Sequence, residues 1–270
     1  MSRSLDPRHL QQLLASAGYY KGAIDGLLGP KSNAAVEIVG RNRGGWPLWW
    51  PAARRQIAAA QAVLNAQGHE CGAVDGLYGH NTDEAIISWL SHLHGTSAAV
   101  ERVPTGRPLR SSSLPTQDEC ATYYGAPGSA ALEAQLTYVR TPFPMRLDWA
   151  LDTEVTRIRV HEKCAPALEA ALTELCDEYG IGRIRRLGLD RFAGSYVPRR
   201  MRGGSSWSMH AYGCAIDIYA APNALRMRCP QALFCGEEYQ DALDIMERHG
   251  WLPAVRLWGA DAMHFQMARM

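Results

Sequence analysis

The chain has 270 residues, a length that allows one large domain or two smaller ones. Hydrophobic residues make up 47% of it and charged residues 20%, which is a globular composition and excludes a mainly disordered chain. The 28 Lys and Arg residues against 27 Asp and Glu residues leave a net charge of +1, so we expect no nucleic-acid partner.

The N-terminal segment carries no apolar run of the kind that targets or anchors a protein. Gln11 and Gln12 interrupt it, and nowhere does the sequence reach the roughly 18 successive apolar residues of a membrane span. We therefore expect no Sec-type leader and no membrane insertion.

An internal repeat with an offset of 50 residues occupies the first part of the chain. AGYYKGAIDGLLGPKSNAAV (17–36) aligns with QGHECGAVDGLYGHNTDEAI (67–86), and Asp25 and Asp75 occupy the same place in the motif A-x-D-G-x-x-G. An amphipathic segment precedes each copy, and Asp-Gly steps are typical of turns with positive φ. Each copy is predicted to form a helix, a glycine-rich turn and a second helix.

The repeats, over about 8–40 and 53–94, predict an all-α N-terminal domain at 1–94. Three tryptophans lie between them: Trp46, Trp49 and Trp50. One interpretation is that these rings complete the small core between the two copies. The other is that they form an exposed surface on which sugar rings stack.

The composition changes after the second copy. Residues 95–117 are rich in Ser, Thr, Pro and Gly, which predicts a linker, and 118–270 is predicted as an α+β domain with an antiparallel-type sheet. The elements predicted in that domain are helices over 164–179 and 238–250 and strands over 155–160, 184–194, 213–220 and 262–268.

The seven cysteines are an odd number and include no C-x-x-C pair. This pattern does not indicate a disulfide framework, and we expect buried thiols. Cys229 and Cys235 are nevertheless close enough in sequence to pair in an oxidising compartment.

Two histidines and two acids stand out in the second domain. Asp217 lies in the middle of an apolar strand, where an unpaired carboxylate would be costly to bury. His210 precedes it by seven residues, and Gly213 allows the backbone to bend so that the two side chains converge. His264 follows Asp261 by three residues. Two imidazoles and a carboxylate can hold a zinc ion and leave one coordination position open. Asp261 would then take a proton from the water bound at that position. The alternative is that these four are ordinary polar residues.

The segment SMHAYGCAID, which begins at Ser208, resembles the S-x-H-x-x-G-x-A-x-D signature of the zinc D-alanyl-D-alanine carboxypeptidase and L-alanyl-D-glutamate endopeptidase family. The segment DAMHF resembles that family's second motif, D-x-x-H-F, and the resemblance runs through most of 118–270. It implies one Zn²⁺ per chain and Asp261 as general base, where relatives often carry Glu. The zinc ligands that it implies are His210, Asp217 and His264.

The segment GSYVPRRMRG (194–203) resembles the part of that family that supplies an arginine to hold the substrate carbonyl or carboxylate. We favour Arg199 for this role and Arg202 as the second choice. The alternative is that the arginines of this segment lie on a surface loop, which we expect for at least one of Arg199, Arg200 and Arg202. Further candidates for substrate contacts are Ser208, Asp25, Asp75, Trp46, Trp49 and Trp50.

The repeats resemble peptidoglycan-binding modules, although the second copy has His80 where the first has Pro30. A wall-binding module beside a wall-cutting domain resembles a modular phage endolysin. This resemblance implies a protein that accumulates in the host cytoplasm and reaches bacterial peptidoglycan once the membrane is opened. We also expect a monomer. We expect a zinc endopeptidase that cuts the peptide stem, with L-Ala-D-Glu as the bond. The alternatives are a D-alanyl-D-alanine carboxypeptidase and a non-catalytic wall-binding or virion protein.

Overall fold

The computed structural model describes residues 4–96, 98–107 and 113–270. The chain divides into two compact units, Met1–Ala99 and Val100–Met270. No helix among the described residues is long and apolar enough to cross a bilayer. The domain bounds predicted from composition, with a linker over 95–117, stay predictions.

In the described part of the first unit there are four helices, two in each repeat. They are α1 (Pro7–Ser16), α2 (Pro30–Asn42), α3 (Ala52–Ala66) and α4 (His80–Leu93). Asp6 caps α1 by accepting a hydrogen bond from the backbone N–H of Arg8 at 2.7 Å. Pro30 occupies the first position of α2, where its missing N–H costs nothing. The helix α4 begins at the equivalent position without a proline.

A buried glutamine organises the turn in each repeat. Gln11 Nε2 donates to Asp25 Oδ1 at 2.8 Å and to the carbonyl of Leu27 at 3.1 Å. Its Oε1 accepts from the backbone N–H of Gly26 at 2.8 Å. Gln61 makes the three corresponding bonds 50 residues later, at 2.9, 3.1 and 2.8 Å. Each amide thus closes its own Asp-Gly turn onto the preceding helix.

The substitution Gln61→Ala is expected to lower the free energy of unfolding by about 1–3 kcal/mol, because it leaves buried turn groups without their partner. Urea denaturation followed by circular dichroism measures the loss. Gln56→Ala on the same helix is the control, since the Gln56 amide bonds Asn33 at the surface, at 3.2 Å. Equal stability of the two variants would contradict a stabilising role for the buried amide.

The described residues of the second unit form short and long helices and one sheet of six strands. Its helices are α5 (Cys120–Tyr124), α6 (Ala130–Ala134), α7 (Ala165–Leu187), α8 (Gln240–Arg248) and α9 (Ala254–Leu257). Its strands are β1 (Leu136–Leu147), β2 (Ala150–His161), β3 (Arg191–Gly194), β4 (Ala215–Ile218), β5 (Leu252–Pro253) and β6 (His264–Gln266). The strand order is β2-β1-β3-β4-β6-β5.

The sheet is mixed, so the prediction of an antiparallel-type sheet was wrong in this respect. The strands β1 and β3 run parallel, while the other neighbouring pairs are antiparallel. The physical reason is the long connection through β2 and α7, which carries the chain back so that β3 enters in the direction of β1. The combination of helices with a sheet agrees with the predicted α+β class.

One local prediction in this unit needs correction, namely the strand predicted over 184–194. The helix predicted to end at 179 does end there, because Gly180 has a non-helical backbone with a φ of +63°, and a second helical segment within α7 continues from it to Leu187. The strand predicted from 184 therefore starts only at Arg191. Ile184 and Leu187 are both buried and lie three residues apart, which is a helical spacing rather than the alternation of a strand.

No strand is predicted at β1 from the sequence, and this strand contains two residues that are unusual inside a sheet, Pro142 and Pro144. The pairing of β1 with β2 is interrupted between Arg140 and Met145, and both prolines lie within this interruption. Prolines are tolerated at such irregularities because no ladder hydrogen bond is lost there.

Cys229 and Cys235 form a disulfide, with their Cα atoms 5.7 Å apart. The expectation of free thiols was therefore wrong for this pair. The disulfide, which the short spacing in sequence allowed, is the form present in the structure. A short helical turn, Leu233–Cys235, brings the second cysteine back towards the first. The remaining cysteines are thiols, and four of them are buried as expected: Cys71, Cys120, Cys164 and Cys214.

Candidate metal centre

Three polar side chains converge where β4 and β6 lie next to each other. Asp217 on β4 is paired in register with His264, the first residue of β6. His210 lies on a single helical turn, Met209–Tyr212, that ends at Gly213 with a φ of +69°. This left-handed glycine turns the chain into β4, which confirms the bend predicted from the spacing of His210 and Asp217.

The facing atoms of the three side chains are close together. His210 Nε2 lies 3.1 Å from His264 Nδ1 and 3.2 Å from Asp217 Oδ1. His264 Nδ1 lies 3.0 Å from the same carboxylate oxygen. All three residues are buried, each no more than 4% exposed. Water therefore does little to solvate the negative charge of the Asp217 carboxylate.

The outer nitrogen of each imidazole is held by an oxygen acceptor. His210 Nδ1 lies 2.6 Å from the carbonyl oxygen of Ser195, and His264 Nε2 lies 3.1 Å from Gln266 Oε1. The Gln266 amide is itself oriented, because its Nε2 donates to the carbonyl of Ala268 at 2.8 Å. Carbonyl oxygens only accept, so each outer nitrogen carries the ring hydrogen and each inner nitrogen presents a lone pair.

The donor set therefore fits a metal ion. Two imidazole lone pairs and one carboxylate point at a common centre in a buried place, which is unfavourable unless a cation neutralises them. Ligands of a tetrahedral zinc ion at 2.0–2.2 Å lie about 3.4 Å from one another, close to the separations observed here. Among the described residues this is the group of His, Cys, Asp and Glu side chains that can hold a metal ion.

The carboxylate of Asp217 keeps its charge despite being buried. Burial alone would raise the pKa of Asp217, but positive charge beside it, which His210 and His264 supply when they are protonated, outweighs burial and holds that pKa well below its usual range. When the imidazoles are neutral, a bound cation would supply that charge instead. The group is therefore the anionic member of the N,N,O set at neutral pH.

Asp261, the predicted general base, is buried in the tight turn that leads into β6. Its carbonyl oxygen accepts from the backbone N–H of His264 at 2.9 Å. Its φ of +59° is unusual for a residue other than glycine, and such strained backbones cluster at functional sites. The turn thus ties the position of this acid to that of a candidate ligand. Its part in proton transfer stays a prediction.

The arginine segment lies directly beside the helical turn that carries His210. Arg199 is buried, and its carbonyl accepts from the backbone N–H of Ser208, the residue that precedes this turn. Arg200 stacks on Trp207 at the surface, with its guanidinium carbon 3.8 Å from the ring centroid. Arg202 is partly buried. The substrate roles of Arg199, Arg202 and Ser208 stay predictions.

Asp25 and Asp75, the predicted contacts in the repeats, serve the folding of their turns. The Oδ1 of each also accepts the backbone N–H two residues later, from Leu27 and Leu77, at 2.9 Å in both copies. The hydrogen bond from Gln11, followed by that from the Leu27 N–H, lowers the pKa of Asp25. These contacts give both acids a structural role, and a substrate contact for them stays a prediction.

The three tryptophans between the repeats have different surroundings. Trp46 packs so closely on Gly40 that a Cβ added there would lie 2.9 Å from its ring. Trp50 carries the guanidinium of Arg54 at 4.0 Å from its centroid. Both contacts agree with a packing role, whereas Trp49 is 77% exposed and is the ring accessible for stacking.

Sequence reasoning did not find Ser195 and Gln266, which orient the two imidazoles. Gln266 had a usable signal, since it lies two residues after His264 and therefore on the same face of β6. Ser195 contributes a backbone carbonyl, which a residue of any type provides.

A family model described as D-alanyl-D-alanine carboxypeptidase matches residues 202–267. The matched range includes all three converging side chains and Asp261. Proteins of this family are zinc-dependent peptidases. The match supports a peptidase domain in the C-terminal part of the chain that acts on peptidoglycan peptides. No curated protein and no solved structure matches the chain.

Proposed function

We propose that the protein is a zinc-dependent endolysin that hydrolyses an amide bond in the peptide stem of peptidoglycan, with L-Ala-D-Glu as the bond. The observation that carries this proposal is the buried cluster of His210, Asp217 and His264 within the range matched by the peptidase family. Two imidazoles and one carboxylate are the ligand set of a catalytic zinc site that leaves a position open.

A divalent ion held by these three residues would supply Lewis acidity to the scissile carbonyl and to the attacking water. Ser195 and Gln266 keep the imidazoles in the orientation and tautomer that ligation requires. A carboxylate oxygen of Asp261 takes the proton of the attacking water and returns it to the leaving amine. Arg199 stabilises the negative charge that develops on the carbonyl oxygen.

The second candidate is a D-alanyl-D-alanine carboxypeptidase, which the description of the matching family favours. The two candidates share their metal chemistry and differ in the bond that is cut. Digestion of purified peptidoglycan followed by mass spectrometry separates them. New N-terminal D-Glu ends support the endopeptidase, whereas loss of terminal D-Ala supports the carboxypeptidase. An unchanged digest would support a non-catalytic wall-binding or virion protein.

For the first unit we propose binding to peptidoglycan, which raises the local concentration of substrate for the peptidase. We further propose a monomer that acts on the wall from the host cytoplasm after the membrane is opened, without nucleic acid as a partner. The nearly neutral charge of the chain leaves ring stacking, rather than charge, as the source of wall affinity.

The substitution Trp49→Ala in the full chain is expected to reduce retention on purified sacculi by about tenfold, because stacking contributes about 0.5–1.5 kcal/mol beyond burial of the ring. Co-sedimentation at two salt concentrations measures retention, which we expect to depend weakly on salt. Leu48→Ala is the matched control, since Leu48 is a neighbour that is 81% exposed and has no ring. Retention that is unchanged by Trp49→Ala would remove this ring from the proposed binding surface.

A further inference from the structure

Residues 100–107, although predicted from composition as part of a linker, lie on the C-terminal unit. The carbonyl of Glu101 accepts from Arg228 Nη2 at 3.3 Å. The backbone N–H of Thr105 donates to the carbonyl of Leu257 at 2.9 Å. Contacts on both sides of Arg102 thus fix the segment against the domain that carries the metal centre.

The guanidinium of Arg102 stacks on a tryptophan beside that centre. Its central carbon lies 4.5 Å from the ring centroid of Trp258, and its Nη1 donates to the sulfur of Met201 at 3.2 Å. The Trp258 ring in turn contacts the ring of His264, with the centroids 6.0 Å apart. A single aromatic ring therefore separates this cation from a candidate zinc ligand.

Arg102 is a partly buried cation whose hydrogen-bonding capacity is largely unused. Burial lowers the pKa of Arg102, and the nearby carboxylate of Asp261 counteracts this effect. Among the residues that the structure describes, none forms an ion pair with Arg102, and its one hydrogen bond goes to a thioether, which is a weak acceptor. A guanidinium that stacks through its face keeps the N–H groups along its edge available for a planar anion.

We propose that Arg102 binds a carboxylate of the substrate through its free N–H edge and so selects peptides with an anionic group next to the scissile amide. The inference rests on the proposed function, because it requires a peptide beside the metal centre. Two sources have the same chemistry: the α-carboxylate of D-Glu in the stem and the carboxylate of a terminal D-Ala. In both cases the carboxylate belongs to the amino acid that leaves.

The test uses the full chain loaded with zinc and three soluble stem peptides: unmodified, amidated at the α-carboxylate of D-Glu, and amidated at the C-terminus. The variants are Arg102→Gln, Arg102→Lys and the control Arg107→Gln. Arg107 lies in the same segment but pairs with Glu247 at 3.4 Å. The readouts are kcat/KM for each peptide, zinc content, and the affinity of the zinc-depleted protein for each peptide by calorimetry.

We expect the wild type to lose about 30-fold in kcat/KM and in affinity on one of the two amides, because amidation removes the charge of the carboxylate that Arg102 would bind. The amide that causes this loss identifies the source of the carboxylate. Arg102→Gln should lower kcat/KM on the unmodified peptide by the same factor. This variant should cleave the unmodified peptide and the amidated peptide that the wild type cleaves poorly with equal kcat/KM. Arg102→Lys should lie between the two, and Arg107→Gln should retain the wild-type preference, with the same zinc content throughout.

The inference would be overturned if the wild type had the same kcat/KM on the two amidated peptides as on the unmodified one. It would also be overturned if Arg102→Gln lowered kcat/KM by the same factor on all three peptides. Either result is compatible with a stem peptidase and leaves the proposed function standing. A wild type that holds zinc but cleaves none of the peptides would instead contradict the proposed function, and the inference about Arg102 would fall with it.

Discussion

The substitution His264→Ala is expected to abolish hydrolysis of peptidoglycan and to remove the bound zinc at the same time. The three converging side chains are buried, and among the described residues their group contains no fourth His, Cys, Asp or Glu that could take the place of a lost ligand. Changes to the partners that merely orient a ligand already cost about 10–100-fold in affinity or activity, so the loss of a ligand should cost more. His210→Ala and Asp217→Ala should behave in the same way. Elemental analysis of the purified protein and clearing of sacculi measure the two effects.

His249→Ala serves as the control for this experiment, because His249 lies outside the site and pairs with Glu174 at 2.6 Å. It should retain about one zinc per chain and clear sacculi like the wild type. A His264→Ala protein with normal activity would exclude the metal assignment. Loss of zinc in His249→Ala as well would point to general unfolding rather than to a missing ligand.

The substitution Asp261→Asn is expected to retain zinc but to lose activity by about 10²–10⁴-fold, the usual contribution of general acid–base catalysis. The amide has the size of the carboxylate but does not accept the proton of the attacking water. Asn also tolerates a positive φ better than most residues do, so the turn at +59° should persist. Steady-state kinetics on soluble stem peptides, together with the zinc content, measure the outcome.

Asp241→Asn, at an exposed position near the start of α8, is the matched control and should leave both values unchanged. If Asp261→Asn loses the metal together with its activity, Asp261 is a ligand and another residue is the base. Full activity of Asp261→Asn would remove it from the proton-transfer step altogether.

Part of the candidate metal centre could be predicted from sequence, because the geometry of two of its residues is set over a short stretch of chain. His210, Gly213 and Asp217 lie within eight residues, and the turn between a histidine and an acid depends mainly on the glycine that separates them. The pairing of Asp217 with His264 spans 47 residues and follows from the register of β4 and β6. Spacing alone does not predict that register, and the resemblance to a known family was needed.

The parts that sequence reasoning missed depend on contacts between distant segments or on backbone atoms. The Gln11 and Gln61 amides repeat with the same offset of 50 as the turns, so a wider alignment of the two copies would have found them. Ser195 acts through its carbonyl, and its identity carries no signal. Arg102 reaches Trp258 across more than 150 residues, from a stretch whose composition indicates only a linker.

The position of residues 100–107 also decides where the peptidase can be cut away from the rest of the chain. A fragment that starts at 118, as composition suggested, would lack Arg102 and Thr105 and would uncover the indole of Trp258 within contact of His264. An exposed aromatic face next to His264 would favour self-association. A fragment that starts at Val100 keeps Arg102 on the indole of Trp258. The shortest peptidase fragment with native surroundings at His264 therefore includes residues 100–107, whose composition indicates only a linker.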